Sequence, residues 1–219
     1  MKILNGCSSL AAGALVAVLL LAAPAAAVNL LTNGGFEEPT SVQPGTYSVF
    51  NTVPGWTSTL GAGIEIQDHI AGLPFAGQQF LELDSDNNSN ALQTVNTVPG
   101  GSYLLKFEYS PRPGIAANSN GIRIFFNDVL IDEITGNGQS ETVWSSHAYD
   151  LTANSSISIL AFQAVGISDS YGGYLDNIEL EEILRAPGAD IPEPSSLLLF
   201  ASALFVLGVY IRRVPKLLN

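Results

Sequence analysis

The stretch Ser102–Ser110, SYLLKFEYS, sets the tightest limit on what this chain can fold into. Tyr103, Leu105, Phe107 and Tyr109 alternate with Leu104, Lys106 and Glu108. A period of two residues puts the aromatic set on one face of a β-strand and the charged set on the other. The aromatic face belongs in a core and the Lys106 face in water. Similar short segments, ended by Gly, Pro, Asn or Asp, fill the middle of the chain. They predict strands at Leu30–Phe36, Tyr47–Val53, Gly63–His69, Gln78–Asp84, Ala91–Val98, Ser102–Ser110, Ile122–Asn127, Val129–Thr135, Thr142–Leu151, Ser156–Val165 and Gly173–Ile183. Asn127-Asp128 reads as a tight hairpin turn. No long 3.6-residue apolar pattern interrupts them. So many short strands predict an all-β, antiparallel jelly-roll β-sandwich.

The two ends of the chain read differently. Lys2, the apolar run Leu10–Ala23 and the small residues Ala25-Ala26-Ala27 have the order of a secretory signal peptide, with cleavage expected after Ala27. Cys7 lies before that apolar run and would leave with it, so no disulfide or thiolate chemistry is expected in the mature domain. At the other end, Ser195–Ile211 is an uncharged run that reaches about 25 Å as a helix, the short end of what spans a bilayer. Arg212, Arg213 and Lys216 follow and favour a cytoplasmic C-terminus, with everything before the span outside. The expected organisation is a signal peptide at 1–27, a sandwich domain at 28–184, a linker at 185–194, a transmembrane segment at 195–211 and a basic tail at 212–219.

Pro192-Glu193-Pro194, the apolar span, and Arg212 with Arg213 together resemble the PEP-CTERM sorting tail of bacterial envelope proteins. That resemblance implies a membrane-embedded exosortase that cuts near the Pro-Glu-Pro, after a signal peptidase has acted at Ala25–Ala27. Two prolines hold the segment extended, as a protease requires. A plain C-terminal membrane anchor is the alternative. The domain itself opens with NLLTNGGFEEP (Asn29–Pro39), contains VPGW (Val53–Trp56) and closes with YLDNIEL (Tyr174–Leu180). These resemble the galactose-binding-like jelly roll of carbohydrate-binding modules. With GQQFLELDSDNNSNALQT, YSPRPG and SDSYGGYLDNI they resemble more closely a cell-wall-associated domain family of unknown function, found in plants and in bacterial PEP-CTERM proteins.

Charge narrows the partners. Between Val28 and Asp190 the basic residues are Lys106, Arg112, Arg123 and Arg185, against every acidic residue of the chain but Glu193. Such a surface repels phosphate, which argues against nucleic acid. It attracts divalent cations. The galactose-binding-like resemblance implies a structural calcium where the first and last strands meet, with Glu37 and Asp176 as ligands. Asp176 shares strand parity with Ile178 and Leu180, which points it toward the core. A buried carboxylate costs several kcal/mol unless compensated, and a hard cation with oxygen ligands, completed by carbonyls near Gly34–Phe36, would compensate it. Backbone amides or Arg112 would do so equally. DSDNNSN (Asp84–Asn90) begins like an EF-hand loop, but Ser89 and Val95 stand where Gly and Glu are required, so it reads as a polar loop.

Sugar rings present apolar C–H faces that lie on flat aromatic rings. Trp56, Trp144, Tyr109, Tyr171 and Tyr174 are the candidates. Trp56 follows Pro54-Gly55 and is expected in the core. Trp144 shares parity with Thr142, Ser146 and Ala148, so it is a platform if that face is wet and core if it is not. Trp144 and Tyr171 are the predicted ligand-binding pair. No catalytic residues are predicted. His69 and His147 lie in no zinc-protease or nucleophile-elbow pattern, and Glu65, Glu82 and Asp84 form a glycosidase pair only if two of them converge in a cleft. The reading is therefore an exported, non-catalytic envelope or matrix protein with a carbohydrate-binding domain, held to the membrane by its C-terminal helix. A structural surface protein without a pocket and a glycoside-processing enzyme are the alternatives.

Overall fold

The structure is a computed structural model that describes residues 28–184. Its strands are β1 (Thr46–Phe50), β2 (Thr52–Val53), β3 (Trp56–Thr57), β4 (Ile64–Asp68), β5 (Phe80–Glu82), β6 (Asn90–Asn96), β7 (Ser102–Ser110), β8 (Gly121–Phe126), β9 (Val129–Ile134), β10 (Ser145–Thr152), β11 (Ile157–Val165) and β12 (Tyr174–Glu182). One sheet runs β1-β4-β5-β12-β7-β10 and the other β2-β3-β6-β11-β8-β9. All pairs are antiparallel, and most neighbours in a sheet are distant in sequence. This is the jelly-roll sandwich that the strand pattern predicts.

The alternation in β7 works as expected. Tyr103, Leu105, Phe107 and Tyr109 are all buried in the core. Phe107 meets Phe162 of β11 edge-on, with ring centroids 5.1 Å apart, and so joins the two sheets. On the other face Lys106 pairs with Glu179 at 3.3 Å and Glu181 at 2.8 Å on β12. Trp56 is also core, 5.5 Å from Phe36, and its indole N–H donates to the Asn33 carbonyl.

Three local departures from the simple alternation matter for the site. The first predicted strand, Leu30–Phe36, is not a strand. Asn29 bridges Glu181, and its side-chain oxygen accepts from Leu31 and Leu180. Thr32 then exchanges two hydrogen bonds with the Gln93 side chain on β6, so this segment crosses from one sheet to the other instead of joining either ladder. Gly34 is pressed against β12, where an added Cβ would stand 2.0 Å from the Ile178 carbonyl. The second departure divides Tyr47–Val53 at Asn51. β1 stays in one sheet and β2 enters the other, turning through Pro54-Gly55 to β3.

The third departure corrects the parity of β12. Asn177 takes φ of 49°, and the pairing with β7 shifts register between Asp176 and Glu179. One residue is thereby added to the strand, and every side chain before it changes face. Leu175, Ile178 and Leu180 lie in the core. Tyr174 and Asp176 instead point to the outer face of the first sheet, where Asp176 accepts from the loop that covers it.

Candidate functional site

The outer face of the β1-β4-β5-β12-β7-β10 sheet should be wet, yet much of it is buried. Its residues are the outward set of each strand, among them Glu65 and Gln67 of β4, Phe80 and Glu82 of β5, and Tyr174 and Asp176 of β12. Glu65 lies opposite Glu82, and Glu82 opposite Tyr174. The long connection between β4 and β5 folds back over half of this face.

Carboxylates hold that connection down. Asp176 is completely buried, and its Oδ2 accepts from the amides of Phe75 at 2.9 Å and Ala76 at 3.0 Å. Its Oδ1 accepts from Asn177. Glu37 Oε1 accepts from Gln78 at 2.8 Å and Gln79 at 3.1 Å. The two predicted metal ligands are thus brought to one loop. Burial pushes the Asp176 carboxyl up to about 7; the three amides pull it down and the Glu37 charge pushes it further up. Arg112 is not its partner. Among the described residues no group of three or more His, Cys, Asp or Glu side chains is arranged to hold a metal ion. A cation here would rest on these two carboxylates and on uncharged oxygens. Both carboxylates are hard oxygen donors, and their hydrogen bonds already run to backbone amides.

Aromatics support the same loop from below. Trp144 is half-buried on this outer face, with its indole N–H donating to the Leu73 carbonyl at 3.0 Å. Phe75 and Phe80 meet its ring edge-on at 6.3 and 6.0 Å, and Phe80 packs on Tyr174 at 4.7 Å. Tyr174 donates to the Ala71 carbonyl.

Beyond the loop the face opens into a cleft of about 260 Å³. Tyr47 of β1 and Tyr171 of the loop before β12 both line it, exposed at 53% and 45%. Glu65, Gln67, Ser85 and Arg112 also line it. The Arg112 guanidinium carbon stands 4.7 Å from the centre of the Tyr171 ring, a cation–π contact. Tyr171 is set in place by two buried acids. Asp84 accepts from the Ser168 hydroxyl and the Asp169 amide. Glu82 lies so near the backbone that a Cβ on Gly172 would be 2.4 Å from its Oε1. A larger residue there would have to displace the Glu82 carboxylate and crowd Asp84.

The polar floor of the cleft is incompletely satisfied. Gln67 donates to Glu65 Oε1 at 2.7 Å, but its own Oε1 has no partner, although the residue is only 1% exposed. Ser85 Oγ is buried and unpartnered as well. Behind them Glu82 accepts from the Asp84 amide through Oε1, while Oε2 has no partner. Burial and the neighbouring Glu65 charge raise Glu82, and burial raises Glu65. Buried polar atoms left open cost about 1–3 kcal/mol each. Two of them, on Gln67 and Ser85, belong to the cleft lining and point to a hydrogen-bonding occupant.

Of the predicted ligand pair, Tyr171 lines the cleft and Trp144 stands outside it on the covered part of the same face. Tyr47, Gln67, Ser85 and Arg112 escaped the sequence reading. The alternation in IEIQD, Ile64–Asp68, does mark Glu65 and Gln67 as outward, but only the covering loop makes them buried.

Comparison with known proteins adds two findings. Residues 190–214 match the model of the PEP-CTERM protein-sorting motif. That tail marks an exported, envelope-sorted protein. Among solved structures, similar folds include a family 16 carbohydrate binding module (17% identity, 69% of this chain and 99% of that one, TM-score 0.47). Another is TmCBM61, solved with β-1,4-galactotriose (18% identity, 70% and 97%, TM-score 0.45). A third is a family 35 carbohydrate binding module from Clostridium thermocellum (18% identity, 64% and 94%, TM-score 0.41). Among the described residues no helix is long and apolar enough to cross a membrane. The predicted signal peptide and its Ala25–Ala27 site, the sorting motif Pro192-Glu193-Pro194, the apolar span, and Arg212 and Arg213 all lie outside the described residues.

Proposed function

We propose that the protein is an exported, non-catalytic carbohydrate-binding protein of the cell envelope, and that the cleft between Tyr47 and Tyr171 is its glycan site. One observation carries this reading. The cleft joins two exposed aromatic rings to a floor of amide, carboxylate, hydroxyl and guanidinium groups, and polar atoms of that floor are buried without partners. Flat rings suit sugar C–H faces, and fixed donors and acceptors suit hydroxyls. Trp144, half-buried on the same face, supports the loop beside the cleft through Leu73 and Phe75. Glu82, the second carboxylate of a glycosidase pair, lies behind the cleft lining, which supports binding without hydrolysis. A polysaccharide array probed with the full chain tests the proposal. Retention of at least one glycan is expected, and retention of none contradicts it.

Export proceeds through a signal peptidase cut after Ala27, and an exosortase-type enzyme then removes the tail near Pro192-Glu193-Pro194. Until then the apolar segment 195–211 anchors the chain, with Arg212 and Arg213 in the cytoplasm. Released protein should have an intact mass that begins at Val28 and lacks Arg212 and Arg213. A released form that keeps both arginines would leave a plain anchor. Calcium held by Glu37 and Asp176 would stiffen the loop that walls the cleft.

A further inference from the structure

The cleft's own chemistry narrows its ligand. Resting on the glycan-binding reading above, we infer that the site selects amino sugars: glycans whose residues carry a free, protonated amine, as in glucosamine polymers. The charge around the cleft is lopsided. Glu65 and Asp86 line it, and Glu82 and Asp84 lie directly behind. Arg112 is the one cation in the lining, and its guanidinium already lies over Tyr171.

The open hydrogen-bonding positions have the same bias. Of the unpartnered atoms in the lining, Gln67 Oε1 can only accept and Ser85 Oγ can accept. A uronic acid would bring a second negative charge to a site whose only lining cation is engaged. A neutral sugar would meet the acceptors with hydroxyls but leave the acidic surroundings uncompensated. An ammonium group brings three donors and a positive charge at once. It would lie between Glu65 and Gln67 Oε1, with a ring hydroxyl on Ser85 and the sugar's apolar face against Tyr171. Charge-assisted bonds are roughly twice as strong as neutral ones. The crowding of acids supports this: burial raises Glu65, with Asp86 and Asp84 adding to it, burial and the Glu65 charge raise Glu82, and an arriving cation relieves that crowding.

The test titrates the full chain in detergent with four probes of equal length: a glucosamine oligomer, its N-acetylated counterpart, a neutral gluco-oligomer and an oligogalacturonate. The amine oligomer should bind about tenfold or more tighter than the N-acetylated one, and raising NaCl from about 50 to about 500 mM should erode that preference. Glu65→Gln should reduce the ratio to near one. Asp86→Asn, on an exposed residue, should reduce it about threefold even if the Glu65 variant fails to fold. Equal binding of amine and N-acetyl forms, tighter oligogalacturonate binding, or a preference untouched by salt and by Asp86→Asn would overturn the inference while leaving a glycan site in place. If no probe and no arrayed glycan binds, the glycan reading falls as well. Should free calcium compete with the amine oligomer at the cleft and displace it in the Asp176→Ala variant too, the cleft is a cation site and the inference is again wrong.

Discussion

Two pairs of acids lie on or beside the same outer sheet face, and they are treated in opposite ways. Asp176 and Glu37 accept from the amides of Phe75, Ala76, Asn177, Gln78 and Gln79, so their cover is backbone. Glu65 and Glu82 face each other across β4 and β5, and Glu82 keeps an oxygen with no partner. The first pair fastens a loop. The second pair forms the wall and backing of an open cleft. Burial of a carboxylate is therefore not by itself a sign of function. A backbone-satisfied acid is a staple, whereas an acid left partly unsatisfied beside a cavity awaits an occupant.

The largest expected effect separates the pairs by mutation. Asp176→Ala strips the acceptor from three part-buried backbone amides that tie the loop to the sheet and should cost about 3 kcal/mol in urea unfolding. Glu82→Gln removes a like charge next to Glu65 and should stay within about 1 kcal/mol of the parent, on the stabilising side at pH 8. Equal losses in both variants would break the comparison.

Calcium comes next. A ligand bound only by the folded state adds about 2.7 kcal/mol at a hundredfold excess over Kd. If the proposed ion sits on Glu37 and Asp176, calcium should raise the melting temperature of the parent and not of Asp176→Ala. A chelator that leaves the melting temperature of a calcium-loaded sample unchanged contradicts this.

Proton binding sharpens the contrast. Asp176 titrates near 7 in the fold against 3.8 when free, so between those values the folded chain holds a proton that the unfolded chain has lost. Calcium-free stability should then fall as pH rises from about 4 to about 8, by an amount on the order of a few kcal/mol. Glu82 adds to the same slope. Calcium should flatten the Asp176 share and Glu82→Gln the Glu82 share, leaving the smaller slope from Glu65 and Asp84. Stability that rises with pH across this window would contradict the assignment. The smallest effect concerns Trp144→Phe, which loses the bond to the Leu73 carbonyl and should cost about 1 kcal/mol.

Much of the sandwich was legible in the chain because strand alternation is a local signal. β7 was placed to the residue, and β8, β9 and β11 to within a residue or so. Leu30–Phe36 misled because its apolar residues serve a crossing between sheets, and its hydrogen bonds run to Leu180 and the Gln93 side chain instead of a ladder. Asp176 was read on the wrong face because a single bulge residue, Asn177 at positive φ, resets parity, and asparagine alone does not announce a bulge. The floor of the cleft was hidden for a different reason. Glu65 and Gln67 look like ordinary outward residues until the β4–β5 connection covers them. Tyr171 was legible because small residues flank an aromatic in SDSYGG. Arg112 was weighed only as a partner for Asp176, and its place over Tyr171 depends on a loop packing that no sequence spacing encodes.

Calorimetric titration of the parent and of Tyr171→Ala with a glycan retained on the array tests the central claim most directly. Tyr171 is nearly half exposed, so its removal should leave the melting temperature within about 1 °C while weakening binding by about tenfold or more, the usual weight of a stacked ring. Unchanged affinity in a folded Tyr171→Ala protein would place the glycan elsewhere and contradict the assignment of this cleft.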